Sequence, residues 1–184
     1  PDKDDITMNL WMKGEEGREI FSALSPMTEG LSRIKDMPYS IKDQPTLTFV
    51  ARQKGEAWNR PFVAVYEPST VKEPSCIASV DYPQVKSEQQ GSHVGIRVAL
   101  TNGNVDWILS SDENAHHCKL EKLQARAGYA LCRQSEKGET IQAFLGNGTQ
   151  LEADGVSIRT DVPADVLLLK QDGKWMYTAT APCR

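Results

Sequence analysis

One short stretch of the sequence combines side chains that could contact a sugar chain. Trp58, Asn59, Arg60 and Tyr66 lie within residues 55–68, interspersed with two prolines. The faces of Trp and Tyr rings stack on sugar rings, and the Arg guanidinium can pair with a carboxylate or a sulfate through two parallel hydrogen bonds. Alternatively, Trp58 and Tyr66 anchor the core while Arg60 pairs with a neighbouring Glu, and the sequence leaves both interpretations open.

Motifs for catalysis and metal binding are much weaker. The sequence has no Gly-x-Ser-x-Gly nucleophile motif. His116-His117-Cys118 offers metal-ligating atoms, but consecutive residues of a strand point to opposite faces and rarely converge on one ion. We therefore predict a solvated turn before a strand at this position, and we expect no catalytic residue, no metal and no cofactor.

Two further patterns have ordinary structural explanations. Residues 146–149, with the sequence Gly-Asn-Gly-Thr, lack the Lys-Ser/Thr pair and the following helix of a phosphate-binding loop, so they predict a tight turn between strands. Acidic residues near predicted turns are expected to be solvated charges rather than catalytic acids: Glu15, Glu16, Glu56, Glu67 and Asp81.

Alternating apolar and polar residues dominate the chain and predict short strands. The clearest hairpin is centred on Asn102-Gly103, between alternating segments at 93–100 and 105–109, and Asp172-Gly173 marks a second one. Residues 61–66 are apolar on both faces, which predicts a central strand covered on both sides. The remaining predicted strands lie at 6–12, 46–51, 119–124, 127–133, 140–145, 155–160, 166–169 and 175–180.

The fold class follows from this pattern. Helical periodicity is nearly absent, and residues 15–24 are expected to be strand or irregular because Gly17 interrupts them and Pro26 closes them. Short strands with turn signals about every ten residues are typical of sandwiches and barrels. We predict an all-β fold, an antiparallel β-sandwich of two packed sheets with little or no helix.

Composition and charge limit the function. The 184 residues carry a net charge of -4, which argues against binding to nucleic acid, and no apolar run is long enough to span a membrane. We predict a single unit over residues 1–184, with a subdivision near 83–91 as an alternative. Because the chain begins with Pro1 and an acidic stretch, we expect it to be a fragment of a larger protein.

The four cysteines do not stand at the spacings of a metal site, so we expect mostly buried free thiols. A disulfide between Cys118 and Cys132 is the alternative.

Residues 52–68, followed by Ile77-Ala78-Ser79-Val80, resemble the β-rich C-terminal region of heparinase II/III-like polysaccharide lyases. Later strands, at 95–98, 105–109, 127–130 and 148–151, are compatible with this likeness, which spans roughly residues 20 to 180. The resemblance implies a parent protein in which an upstream helical (α/α) toroid and sandwich precede this region. It also implies β-elimination on uronate glycans and an extracytoplasmic location, at the cell surface, in the periplasm or secreted.

The resemblance transfers no catalytic residue to this chain, because His93, His116 and His117 do not stand in a matching motif. It predicts a non-catalytic C-terminal β-sandwich domain that supports the toroid or lines the glycan cleft. The partners are then the upstream part of the same parent chain and an acidic polysaccharide.

An independent carbohydrate-binding module and a purely structural cell-surface domain are the two alternatives. Exposed, coplanar tryptophans would favour carbohydrate binding, and we expect Trp107 and Trp175 to be at least partly buried because they lie in strongly alternating strands.

Overall fold

The computed structural model describes residues 6–25, 45–56 and 60–184. These residues contain no helix, and every pairing between their strands is antiparallel. The all-β, sandwich-like fold predicted from the sequence is therefore confirmed. Thirteen strands form within the described residues: β1 (Thr7–Met12), β2 (Arg18–Ser25), β3 (Thr46–Gln53), β4 (Ala64–Ser69), β5 (Ile77–Asp81), β6 (Lys86–Ser87), β7 (His93–Leu100), β8 (Val105–Ser111), β9 (His117–Leu120), β10 (Leu123–Gln134), β11 (Thr140–Ala153), β12 (Val156–Gln171) and β13 (Lys174–Ala179).

A nine-stranded sheet contains most of these strands, in the order β13-β12-β11-β10-β8-β7-β5. The first half of β10 pairs with β9, which also pairs with β6, whereas the second half of β10 pairs with β8. The two halves of this long strand thus belong to two different layers. Gly95 of β7 lies so close to Leu120 of β9 that a Cβ atom at position 95 would be 2.7 Å from the Leu120 Cδ1 atom, which shows that the layers face each other.

Bulges allow the long strands to pass from one layer to the other. The pairing of β10 with β11 shifts register after Arg126, and the pairing of β11 with β12 shifts on both sides of Gly148. Asn147 adopts a positive φ of 48°. The prediction of a tight turn at 146–149 is therefore wrong: this segment is a bulge inside β11, because its backbone irregularity bends the strand instead of reversing it.

The core lies between the layers and consists mainly of small and aliphatic side chains. Leu109, Leu120, Leu145 and Leu151 are fully buried, and alanines at 125, 130 and 143 lie between them. Small residues next to leucines let the layers approach closely while still filling the space between them. This core lies under β8–β12, the strands that position the candidate sites described below.

Two short two-stranded ribbons, β1–β4 and β2–β3, form in addition to the main sheet. Two of the strands predicted from the sequence differ from the observed ones. In the first ribbon, β4 pairs with β1 alone among the described strands, so the segment at 61–66 is not a central strand and Tyr66 is 64% exposed. The predicted strand at 119–124 is likewise two strands, because Glu121 adopts a positive φ of 51° in the turn between β9 and β10.

The second ribbon, β2–β3, belongs to a compact unit of its own. The described residues 14–25 and 45–56 form this unit, and residues 6–13 and 60–184 form the other. Residues 18–25 are a regular strand, as one of the two sequence expectations for that segment stated. The single-unit organisation and the subdivision near 83–91 stay predictions.

Both hairpin turns predicted from the sequence are confirmed. Gly103 has a φ of 84° between β7 and β8, and Asp172 and Gly173 have φ values of 49° and 76° between β12 and β13. Two positive angles in succession are what a type I′ turn requires, so Asp172-Gly173 fits that type, whereas at Asn102-Gly103 only the glycine has a positive φ and the turn is of another type. All four cysteines are free thiols, as expected, and Cys118 and Cys132 are both buried. In the part of the chain that the structure describes, no helix is long and apolar enough to cross a membrane.

Candidate functional site

The four residues predicted to contact glycan are only partly described by the structure. Trp58 and Asn59 lie outside the described residues. Arg60 is half-buried, and Tyr66 projects from β4 into solvent opposite Leu10 of β1. Because side chains alternate along a strand, the outward position of Tyr66 turns its neighbour Glu67 inward.

Glu67 is a buried, ionised carboxylate, so the expectation that it is a solvated charge is wrong. Burial alone would raise its pKa, but the Ser75 hydroxyl and the backbone N–H groups of Cys76 and Ile77 donate hydrogen bonds to it and lower the pKa to about 2. Asn9 of β1 also donates to it at 3.4 Å. A group with this pKa is ionised near neutral pH and cannot serve as a general acid there, so Glu67 has a structural role in joining β1, β4 and β5.

The tryptophans differ in exposure. Trp107 is half-buried, as expected, and its Nε1 donates a 3.0 Å hydrogen bond to the Gln134 side chain. Trp175 is more exposed than expected, at 41%, and Tyr177 of the same strand is 67% exposed. Residues two apart on a strand share a face, so these two rings lie side by side on β13, at the edge of the sheet.

Trp175 borders a shallow cleft of about 360 Å³, the Trp175 cleft. Its lining includes Lys137, Glu139 and Lys170, and the Lys170 Nζ atom lies 3.5 Å from a Glu139 carboxylate oxygen. The remaining lining residues are Gly138, Thr140, Asp154 and Gly155. An aromatic face next to cationic groups can stack on a sugar ring and pair with its carboxylate or sulfate.

Sequence reasoning missed most of this cleft. The signal that was available is the alternation Trp175-Met176-Tyr177 after the Asp172-Gly173 turn, which places two aromatic rings on one face. The contribution of Lys137 could not be seen in the same way, because it comes from the turn between β10 and β11, far away in the sequence.

A second group of side chains, the histidine cluster, contains His93, Asp112 and His116. Each offers one ligand atom, and these three atoms lie within 4.8 Å of one another. The cluster includes only one residue of the His116-His117-Cys118 triplet considered in the sequence. The triplet divides at the start of β9: His116 precedes the strand, while the Cys118 thiol inside it is fully buried.

Part of the chain is similar to known proteins. Residues 83–169 match the family model described as the endo-acting ulvan lyase C-terminal domain. The chain is also 27% identical over 164 residues to a protein named endo-acting ulvan lyase from Formosa agariphila, in an alignment that covers 87% of this chain and 19% of that relative. The chain thus spans about a fifth of the length, 19%, of the curated relative that it matches.

Both matches concern a polysaccharide lyase, and the family model describes its C-terminal domain. The coarser part of the sequence resemblance, a similarity to the C-terminal domain of a polysaccharide lyase, is therefore supported. The matched segment begins at Pro83 and ends at Leu169, and contains β6–β11, most of β12, the main core and the histidine cluster.

Proposed function

We propose that this chain is a non-catalytic C-terminal β domain of a polysaccharide lyase. The observation that carries the proposal is the match of residues 83–169 to the ulvan lyase C-terminal domain model. The domain supports the catalytic part of the parent protein or lines its glycan cleft. The finer form of the proposal is a heparinase II/III-like parent, with an upstream α/α toroid that acts by β-elimination on an acidic, uronate-containing glycan outside the cytoplasm.

Exposed apolar side chains support a role within a larger chain. One face of the β2–β3 ribbon presents Ile20, Leu24, Leu47 and Phe49, each between 52% and 69% exposed. Isolated two-stranded ribbons are only marginally stable in water, and clustered apolar groups of this kind are typical of surfaces that other protein parts cover. In the proposal, the upstream part of the parent chain covers this ribbon.

The chemistry of two tyrosines is consistent with a non-catalytic domain. β-Elimination needs a base to remove the proton next to the uronate carboxylate. Burial raises the pKa of Tyr82, whose hydroxyl donates a 2.8 Å hydrogen bond to the Trp11 carbonyl oxygen. Burial and the nearby Asp106 carboxylate raise the pKa of Tyr129. A raised pKa makes the phenolate form rarer near neutral pH, so both side chains are poor bases.

A lyase assay tests the non-catalytic assignment. The 184-residue chain is incubated with ulvan, heparin, chondroitin sulfate and alginate, and the ultraviolet absorbance of the unsaturated uronate product is followed. We expect no increase with any glycan. A sustained increase that grows with protein concentration would show that the chain cleaves glycan by itself and would contradict the proposal.

Glycan binding by the isolated chain is a second candidate function, favoured by the Trp175 cleft. In a fluorescence titration with ulvan and with desulfated ulvan, binding through this cleft would weaken about tenfold in Trp175→Ala, as truncation of an aromatic anchor commonly does. Lys170→Ala would reduce the preference for the sulfated chain. Phe21→Ala, which removes an exposed ring of β2 that does not line the cleft, is the matched control and should bind like the wild type.

A further inference from the structure

Strand β13 lies at one end of the main sheet and, among the described strands, pairs only with β12. Residues 174–178 are all exposed, although three of them are the large apolar side chains of Trp175, Met176 and Tyr177. An edge strand presents a row of unpaired backbone N–H and C=O groups to any further strand. The free side of β13 is therefore a surface on which another strand can add to the sheet.

The turn before β13 determines which of its backbone groups are free. Residues 172–173 form a type I′ turn, so the two residues that flank it exchange backbone hydrogen bonds, and every second pair along β12 and β13 does the same. The 3.0 Å hydrogen bond from the Thr180 N–H to the Asp165 carbonyl oxygen follows this alternation. The N–H and C=O groups of Trp175 and Tyr177 consequently point away from β12, toward the free side.

The opposite end of the main sheet, β5, is protected against further pairing. Its register with β7 shifts between Ile77 and Ser79, it ends with Asp81, and Pro83 follows two residues later. Bulges, charges and prolines all discourage the addition of a strand to an edge. Residues 175–179 contain no charge and no proline, and the register of β13 with β12 runs over six pairs without a shift.

We propose that β13 pairs with β13 of a second copy of this chain, in an antiparallel register centred on Met176. In this register Trp175 of each copy lies opposite Tyr177 of the other, and the two exchange hydrogen bonds through the backbone groups that β12 leaves free. Cross-strand aromatic pairs of this kind stabilise a sheet. Neighbouring symmetric registers that use the same backbone groups would pair only one of the two rings of each copy.

Charge and face also fit a symmetric pair. Lys174 lies opposite Thr178 in both halves of the pairing, so no like charges face each other along the two strands. The symmetry axis runs perpendicular to the sheet, and the two main sheets therefore become one continuous sheet with both Trp175 clefts on the same face.

The area of the contact limits the strength of the dimer. Stable interfaces bury about 1,200–2,000 Å² in total, and a pairing of two six-residue strands lies at or below the lower end of that range. We therefore expect a weak dimer, which forms at protein concentrations of about 0.1 mM and above.

Sedimentation equilibrium of the 184-residue chain tests the proposal at concentrations from about 10 µM to about 1 mM. We expect the average mass to rise from the monomer value of 20.4 kDa toward twice that value. Met176→Lys places two ammonium groups opposite each other at the centre of the pairing, so it should weaken dimerisation at least about tenfold. Val71→Lys is the matched control, because it adds the same charge at an apolar side chain that is 86% exposed elsewhere, and it should dimerise like the wild type.

Disulfide trapping tests the register itself. In a Cys76→Ser background, which removes the exposed native thiol, Met176→Cys places two thiols directly opposite each other, with Cα atoms about 4.5 Å apart and within reach of a disulfide. Thr178→Cys is the control, because the same register separates its two copies by about 14 Å. Under mild oxidation we expect a covalent dimer from Met176→Cys alone.

Several results would overturn the proposal. One is a monomeric wild type across the whole concentration range, and another is equal dimerisation of Met176→Lys and the wild type. Equal trapping of Met176→Cys and Thr178→Cys would do the same, because it would show that the copies associate through another surface. If circular dichroism shows that Met176→Lys is misfolded, Tyr177→Pro replaces it: this variant lacks an N–H that β12 does not use, so it should fold and still fail to dimerise.

Discussion

The main sheet buries leucine side chains, whereas the β2–β3 ribbon exposes them to solvent. In the main sheet, Leu109, Leu145 and Leu151 have no exposed surface. In the ribbon, Leu24 is 69% exposed and Leu47 is 59% exposed. The same residue type is therefore buried in the main sheet and exposed on the described part of the ribbon.

A strand buried between two layers contributes to stability through its own buried side chains. Among the described residues, β2 and β3 pair only with each other, and an isolated two-stranded ribbon is only marginally stable in water. The matched family segment, residues 83–169, contains most of the long strands of the main sheet and none of the ribbon. We therefore expect the main sheet to dominate the stability of the isolated chain.

The largest contrast should come from the same substitution in the two regions. Leu145→Ala should lower the free energy of unfolding by about 2–5 kcal/mol, because it removes buried methyl groups and leaves a cavity. Leu47→Ala should change it by no more than about 0.5 kcal/mol, because the side chain is already 59% exposed. Urea unfolding followed by circular dichroism measures both. Equal losses in the two variants would show that the ribbon is as well packed as the main sheet.

The ribbon formed by β1 and β4 differs from the β2–β3 ribbon, because the buried Glu67 carboxylate joins it to the start of β5. Since the pKa of Glu67 is lowered from 4.5 to about 2, its ionised form stabilises the folded state above about pH 4.5, and this contribution disappears as the pH falls toward 2. The contribution is about 3 kcal/mol at neutral pH, as the size of this shift implies.

Glu67→Gln should therefore be destabilised near pH 7 and should lose less stability than the wild type between pH 4.5 and 2. Chemical unfolding across this pH range tests the prediction. Glu73→Gln, which changes an exposed carboxylate in the same region, should follow the wild-type curve. If Glu67→Gln also follows it, the hydrogen bonds to Glu67 do not contribute to stability in the way described.

A smaller loss of stability is expected for a substitution at Gly148, in the bulge of β11, where the β10 and β11 backbones lie close together. A Cβ atom at Gly148 would lie 2.5 Å from the Ala127 Cβ atom and 2.6 Å from the Arg126 carbonyl oxygen, so Gly148→Ala forces two strands apart. We expect a loss of about 1–3 kcal/mol. Gly14→Ala is the control, because no atom lies within 4 Å of its added methyl group and it should be nearly neutral. Thermal unfolding of the two variants distinguishes a close-packed bulge from a loose one.

The smallest effect on stability is expected for charge added to the β2–β3 ribbon. Phe49, which is 58% exposed, can become Lys with a change of no more than about 0.5 kcal/mol in unfolding free energy. Binding of a hydrophobic dye to the native chain should nevertheless decrease, because the substitution interrupts the exposed apolar face. A large loss of stability in Phe49→Lys would mean that this face is covered within the chain itself.

Local sequence signals predicted much of the fold. The turns at Asn102-Gly103 and Asp172-Gly173 could be identified because each places a glycine at a positive φ angle, which few other residues accept. Alternation likewise located β7 and β8 within a residue or two. The merging of segments 155–160 and 166–169 into the single strand β12 was not predictable, because Pro163 lies between them and usually interrupts a strand.

The candidate sites were much less predictable than the strands. The histidine cluster joins residues that are 19 and 4 positions apart, and only the pairing of β7 with β8 and the turn before β9 bring them together. Glu67 looked like a surface charge because it lies beside Pro68, and its hydrogen-bond donors come from the start of β5. In both cases the determining contacts are tertiary, which a pattern within one segment does not contain.

The strand order of the main sheet has a consequence for how the domain forms. From β10 to β13, each strand lies beside the strand that precedes it in the chain, and β7 and β8 are neighbours in the same way. Adjacent hairpins close short loops and lose little chain entropy, so the sheet can grow by adding one hairpin at a time. The pairing of β8 with β10 closes a longer loop, which contains β9, so we expect it to form after the hairpins.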